Sequence, residues 1–178
     1  MILDINRIEQ GVTHLKNQEV DLKMFLGKIK TEFSVQARKK NIELVIDGSD
    51  EVIEADKDAL SRVLENLLSN AIKFSPNNKR VQLRACRVNQ LLQFEIQDEG
   101  PGISLNEMPR LFEKFQNLTN QPTGKESSTG LGLFIVKELL TLMKGDVAVK
   151  TSVGEGTTFF VRIPSRKINN VKMPAIQN

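Results

Sequence analysis

Between Leu91 and Asp98 the chain alternates strictly, and the alternation ends on a residue that an apolar face rejects. Leu92, Phe94 and Ile96 share one side of an extended segment, and Gln93, Glu95 and Gln97 share the other. The same period carries Asp98 onto the apolar side, where an unsatisfied polar group costs about 2–7 kcal/mol. Gly100 and Gly102 follow at once, in Asp98-Glu99-Gly100-Pro101-Gly102, and let the backbone turn sharply and approach a ligand closely. A buried acceptor at a strand end, followed by a glycine-rich turn, suits the amino edge of a base.

The segment before it, Arg80–Val88, reads as the partner strand of a hairpin closed at Asn89-Gln90. Three helical patterns accompany it. Residues 19–21 lead into one that carries Leu22, Phe25, Leu26, Ile29 and Phe33 on one face and ends at Lys39, Lys40 and Asn41. A second starts near Asp56, turns Leu60, Val63, Leu64, Leu67, Leu68 and Ala71 inward, and is closed by Pro76-Asn77-Asn78. A third runs from about Gly130 to Lys144. Strands are expected at Ile42–Ile46, Glu51–Glu54, Asp146–Thr151 and Thr157–Ile163. Helices and hairpin strands interleave without regular βαβ units, which points to a mixed sheet with helices on one face.

At 178 residues the chain can build one domain with a full core. The net charge of +3, with no dense Lys/Arg stripe, permits an anionic ligand but falls short of a nucleic-acid footprint. The one cysteine, Cys86, excludes an internal disulfide, fits a reducing compartment and reads as a packed, inert thiol. No apolar run approaches the ~20 residues of a membrane span. Residues 104–128 form a long segment rich in Pro, Gly, Asn, Thr and Ser after Leu118, a composition expected of a functional or mobile loop. Beyond Pro164 the chain is polar and aperiodic and reads as linker.

Three further groups carry chemistry, each with a plainer alternative. Asn66, Asn70 and Lys73 fall at i, i+4 and i+7 on one helical stripe, with Arg62 beside it. Two amides and an ammonium can hold a hydrated divalent cation and phosphate oxygens, or simply form a solvated face. Ser128-Thr129-Gly130-Leu131-Gly132-Leu133 opens a helix, where backbone N–H groups and the helix dipole favour an anion. A hydroxyl N-cap is the alternative. Gly154-Glu155-Gly156-Thr157 leads into a strand, either as a tight turn or as a place where Thr157 shares the ligand of Asp98. The dinucleotide fingerprint, the GxxxxGK[ST] loop and the HRD and DFG pair are all missing.

Taken in order, Asn66-x3-Asn70, Asp98-x-Gly100-x-Gly102, Phe112-x2-Phe115, Gly130-x-Gly132 and Gly154-x-Gly156-Thr157 resemble the N, G1, F, G2 and G3 boxes of bacterial sensor histidine kinases. These share the Bergerat ATP-binding fold with gyrase, chaperone and mismatch-repair ATPases. The resemblance covers about residues 20–164. It implies an α/β (α+β) two-layer sandwich that binds ATP and Mg²⁺. Asp98 would accept from the adenine amine, with Thr157 helping through water. Asn70 would ligate Mg²⁺, and Asn66 would sit near the phosphates and, with Lys73, serve catalysis by helping to position the reacting group. Lys73 would contact phosphate, and Phe74 would pack beside the nucleotide. Gly100, Gly102 and Ile103 belong to the turn at the base. Thr129, Gly130, Leu131, Gly132 and Leu133 belong to the phosphate end, where Gly130, Leu131 and Gly132 would offer backbone donors. Residues 104–128 would form an ATP lid with Phe112 and Phe115 packing its hinge, and Lys125 would be its cation.

Two departures shape the expected function. Ser128 stands where the G2 box often begins with glycine, and the phosphoacceptor histidine followed by an acid is missing, since the one histidine, His14, reads as a surface or strand residue. Residues 1–16, with Ile2, Ile5 and Ile8 at helical spacing, resemble the end of a dimerisation helix plus connector. Residues 17–164 then form the catalytic domain and 165–178 a polar tail. The resemblance implies transfer of the γ-phosphoryl group to a histidine on a separate dimerisation domain, then to a response-regulator aspartate. It also implies a cytoplasmic domain of a homodimeric kinase whose anchor, if any, lies elsewhere. This chain itself is expected to be monomeric, because Ile2, Ile5 and Ile8 bury too little to offset the cost of association. Its mild charge leaves no nucleic-acid partner expected. The competing readings are a same-fold ATPase, a protein-serine kinase and a non-catalytic docking module. Glu65 neighbours the position where the ATPases carry a general base, but one residue rotates it about 100° around the helix.

Overall fold

Asp21 and Asp56 start the two long helices. Each lies in extended backbone, and its carboxylate accepts the N–H three residues on, Met24 and Ala59, both at 2.8 Å. That satisfies a first-turn donor with no partner inside the helix. The computed structural model describes residues 15–116 and 130–168. Their order is β1 (Asn17–Asp21), α1 (Leu22–Lys39), β2 (Glu43–Gly48), β3 (Val52–Asp56), α2 (Lys57–Phe74), β4 (Arg80–Val88), β5 (Leu91–Asp98), a 3₁₀ turn (Met108–Arg110), α3 (Gly132–Leu142), β6 (Asp146–Ser152), β7 (Gly156–Pro164) and β8 (Lys167–Ile168).

Five strands form one mixed sheet in the order β2-β4-β5-β7-β6. β2 and β4 are parallel, and every other pairing is antiparallel. The β4–β5 hairpin has the register the sequence predicts, from Val81 opposite Asp98 to Val88 opposite Leu91. All three helices cover one face: α1 packs on β2, α2 on β4 and β5, and α3 on β6 and against α2. Phe94, Ile96, Leu83 and Val161 from the sheet meet Leu60, Leu64, Leu67 and Leu68 from α2 in the core. The other face carries polar rows such as Arg84 opposite Glu95. Cys86 lies in such a row opposite Gln93 and is half-buried there rather than packed in the core. Phe94 is fully buried. Phe94→Ala should therefore cost about 3–5 kcal/mol of unfolding free energy, read as a lowered denaturant midpoint at unchanged m-value.

A second, smaller sheet in the order β1-β3-β8 is absent from the sequence reading. Residues 19–21 belong to a strand, not to a helix lead-in, and only Val20 of β1 is buried, so no alternation is visible. The segment after Pro164 likewise adds β8, which pairs with Val52 and Ile53, where linker was expected. Arg87 holds that segment in place. Its Nη1 donates to the Ser165 carbonyl at 2.8 Å, and its Nε donates to the buried Glu51 carboxylate at 3.1 Å.

The end of α2 is fixed from α1. Ser75, extended before Pro76, stops the helix. The Lys40 ammonium donates to the last-turn carbonyls of Ile72 at 2.6 Å and Lys73 at 2.9 Å, neutralising the negative helix end.

Candidate functional site

Three ends of secondary structure converge on one cleft. The first is the end of the sheet, where β5, β7 and β6 place Asp98, Thr157 and Thr151 in a single cross-strand row. The apolar rows beneath it are Ile96, Phe159, Val149 and then Phe94, Val161, Val147. The row therefore ends the core with polar groups instead of continuing it. Asp98 is 7% exposed. Its carboxylate accepts the Gly100 N–H at 2.8 Å and the Thr157 N–H. Burial outweighs those two bonds and pushes its pKa up to about 6 from 3.8.

The cleft beside it is lined by Asn70, Phe74, Asp98, Pro101, Gly102, Ile103, Leu133, Thr157 and Phe159. Its walls are mainly apolar with a few convergent polar groups, the usual make-up of a small-molecule site. Gly102, at φ +72°, lies so close to the β6–β7 turn that a side chain there would overlap the Ser152 carbonyl. The Gly154 N–H donates to the Pro101 carbonyl at 2.8 Å, so the two glycine turns brace each other. Gly100 packs on the end of α2, near the Phe74 carbonyl.

The second contributor is the amide stripe of α2. Asn66 donates through Nδ2 to the Arg62 carbonyl at 2.7 Å, which leaves Oδ1 facing the start of α3. A Cβ on Gly132 would lie 2.9 Å from that oxygen and 3.9 Å from Asn70 Nδ2. The third contributor is the α3 N-terminus itself. Gly130 has φ +66°, Leu131 is buried and takes the N-cap position without a side-chain cap bond, and Gly132 opens the helix. Among the described residues, the start of α3 thus lies against the amides of α2 and carries the positive end of the helix dipole.

Two residues sit differently from expectation. Lys73 is buried at 6% exposure, with its ammonium 5.6 Å from the Phe74 ring centroid, and is not on the cleft wall. Phe115, expected to pack the lid hinge, is 70% exposed with φ +57°. Its backbone, not its ring, lies against Gly130, while Phe112 packs on the core. Thr129, Lys125, Ser128 and His14 lie outside the described residues. Sequence reasoning missed Pro101, Phe159 and Thr151. Phe159 was within reach of it, because it lies two residues from Thr157 and so on the same face.

Among the described residues no three His, Cys, Asp or Glu side chains gather to hold a metal. Mg²⁺ needs no such cage, since it keeps its waters and is usually held by one or two protein oxygens plus phosphates. The side-chain amides on α2 suit that role. Among the described residues no helix is long and apolar enough to cross a membrane.

Comparison with known proteins gives the same picture. The chain is 34% identical over 171 residues to the circadian input-output histidine kinase CikA of Synechococcus elongatus, covering 94% of this chain and 23% of that protein. It is also 34% identical over 183 residues to the autoinducer 2 sensor kinase/phosphatase LuxQ of Vibrio parahaemolyticus, covering 97% of this chain and 21% of LuxQ. The chain thus spans under a quarter of the length of these two relatives. Among solved structures, full-length ShkA in complex with AMPPNP superposes with a TM-score of 0.83 at 29% identity, over 94% of this chain and 35% of ShkA. Residues 55–167 match the family described as histidine kinase-, DNA gyrase B- and HSP90-like ATPases. With its five-stranded mixed sheet, its helices on one face and its cleft between sheet end and helix ends, the chain belongs to that ATPase family.

Proposed function

We propose that this chain is the ATP-binding catalytic domain of a sensor histidine kinase. It binds Mg²⁺-ATP in the cleft and donates the γ-phosphoryl group to a histidine on a dimerisation domain, from which a response-regulator aspartate receives it. The observation that carries the reading is the polarity of the cleft. A buried carboxylate closes one end, and the α2 amides with the α3 N-terminus form the other. An adenine amine fits the first, and a chain of phosphates fits the second. The names of CikA and LuxQ, and the AMPPNP bound to ShkA, support it.

In this reading Asp98 accepts from the adenine amine with Thr157 at its side, and Phe74, Ile103, Leu133 and Phe159 enclose the base. Asn70 holds Mg²⁺, and Asn66 and the N–H groups of Gly130, Leu131 and Gly132 face the phosphates. Mg²⁺, when bound, neutralises the phosphate charge that would otherwise oppose transfer. Lys73 reaches phosphate only by leaving the Phe74 ring. The expected lid spans residues 104–128, of which 117–128 lie outside the described residues. The work of the site is positioning and charge balance.

The test supplies Mg²⁺-ATP labelled at the γ-phosphate together with a separate histidine-bearing dimerisation domain of a sensor kinase as acceptor. Acid-labile label on that domain is expected, and Asn70→Ala should lower it by at least about a hundred-fold through lost transition-state positioning. Acid-stable label would indicate a serine acceptor. Release of free phosphate at the same rate without any acceptor domain would make the chain an ATPase.

A further inference from the structure

The hydroxyl of Thr151 makes three polar contacts beside the cleft, and no sequence motif pointed to it. It accepts the Ile103 N–H at 2.9 Å, lies 3.0 Å from the Gly156 carbonyl and 3.1 Å from the Thr157 hydroxyl. One side chain on β6 thereby touches the turn after β5, the turn before β7 and the residue beside Asp98.

A threonine hydroxyl has one hydrogen to give and two lone pairs. The Ile103 N–H occupies one lone pair. The carbonyl of Gly156 can only accept, so the hydrogen of Thr151 goes there. The contact with Thr157 then has one remaining polarity: Thr157 donates and Thr151 accepts. All three bonds exist together only in this arrangement, and at this half-buried position a fully satisfied network outweighs a partly satisfied one. With its hydrogen committed to Thr151, the Thr157 hydroxyl offers only lone pairs to the cleft. It does so next to the Asp98 carboxylate, its cross-strand neighbour.

We propose that Thr151 is a specificity-determining positioning residue: it holds Thr157 as an acceptor, so that two adjacent acceptors face position 6 of the purine. This rests on the reading that the cleft takes an adenine nucleotide. A 6-amino group, with two hydrogens to give directly or through a water, matches that pair. A 6-oxo group is met by lone pairs only and is rejected, in the way a site built around one polarity rejects the other. Without Thr151 the Thr157 hydroxyl turns freely and can donate to a 6-oxo group.

The experiment titrates Mg²⁺-ADP and Mg²⁺-IDP into wild type, Thr151→Ser and Thr151→Val, with thermal unfolding of each nucleotide-free protein as the fold control. IDP differs from ADP at the 6-position and the adjoining N1, so the affinity ratio isolates this edge of the base. Wild type and Thr151→Ser should prefer ADP by at least about a hundred-fold, two good hydrogen bonds' worth. In Thr151→Val the ratio should fall by about ten-fold, because IDP gains a donor while ADP loses an ordered acceptor. A merely structural Thr151 would weaken both nucleotides equally and leave the ratio unchanged, which would overturn the proposal. Thr151→Ala carries the same comparison if the valine variant does not fold. In a Thr157→Val background, Thr151→Val should no longer move the ratio, and a ratio that still moves would overturn it too. Failure of wild type to bind ADP at all would instead remove the adenine reading beneath it.

Discussion

Asp98→Asn should yield a protein that is more stable without nucleotide and unable to hold one. The carboxylate is 7% exposed, and burial raises its pKa to about 6 from 3.8. A raised acid pKa means that the folded state binds the proton more tightly than the unfolded chain. The stabilisation this provides is complete below pH about 4 and is lost as pH rises through about 6. At pH 7 the buried charge therefore costs about 3 kcal/mol relative to the protonated group. An amide of the same shape removes the charge and keeps one acceptor oxygen for the Gly100 and Thr157 N–H groups. A gain of about 2 kcal/mol follows, or roughly 4–8 °C in Tm for a domain of this size. Nucleotide binding should meanwhile weaken by at least about a hundred-fold, since a charged acceptor is exchanged for a group that also presents N–H. Scanning calorimetry with and without Mg²⁺-ATP reads both effects. A destabilised variant would mean that Asp98 serves the fold, not the ligand.

The two glycines of the β6–β7 turn should respond very differently to alanine. Both have positive φ, +85° at Gly154 and +96° at Gly156, so each variant carries backbone strain of about 1–2 kcal/mol. Around Gly154 nothing lies within 4 Å of an added Cβ, and the cost ends there. At Gly156 the same atom would overlap the Asp98 carbonyl and lie 3.1 Å from Glu99 Cα. These are backbone atoms at the end of the central strand β5 and of the residue after it, and they cannot step aside. Overpacking adds about 1–3 kcal/mol, and the displacement falls on Asp98 itself. Gly156→Ala should therefore lose about 3–4 kcal/mol of stability and nearly all nucleotide affinity, while Gly154→Ala keeps its affinity. Paired urea titrations and ADP titrations separate the two, and equal losses at both positions would show that the turn matters only as a turn.

Where one face of an element is buried, the chain announced its structure. The β4–β5 hairpin has the predicted ends and register because its alternation is strict and its core side is apolar. Helix α2 shows both its cap and its apolar stripe. Strands β1 and β8 were invisible for the opposite reason: β1 buries one residue of five and β8 is two residues long, so pairing with β3 decides them, not pattern. The site divides in the same way. Asp98 stood out because it breaks a pattern, and the glycines because few other residues could replace them. Thr151 and Lys40 act through partners distant in sequence, Ile103 and Ile72, and no spacing rule reaches across that distance. Phe115 misled because an aromatic in a motif was read as packing, whereas its ring faces solvent.

The central claim is that a buried, ionised Asp98 reads an adenine nucleotide in this cleft, and a pH series of ADP binding tests it most directly. Calorimetric titrations of Mg²⁺-ADP from pH 5 to pH 8, at saturating Mg²⁺, would give the affinity and the protons released on binding. With a pKa of about 6, the competent ionised form is about nine-tenths populated at pH 7 and about one-tenth at pH 5. Affinity should fall about ten-fold between those values, with about half a proton released per nucleotide bound at pH 6. Binding that ignores pH over this range, or no binding at any pH, would contradict it.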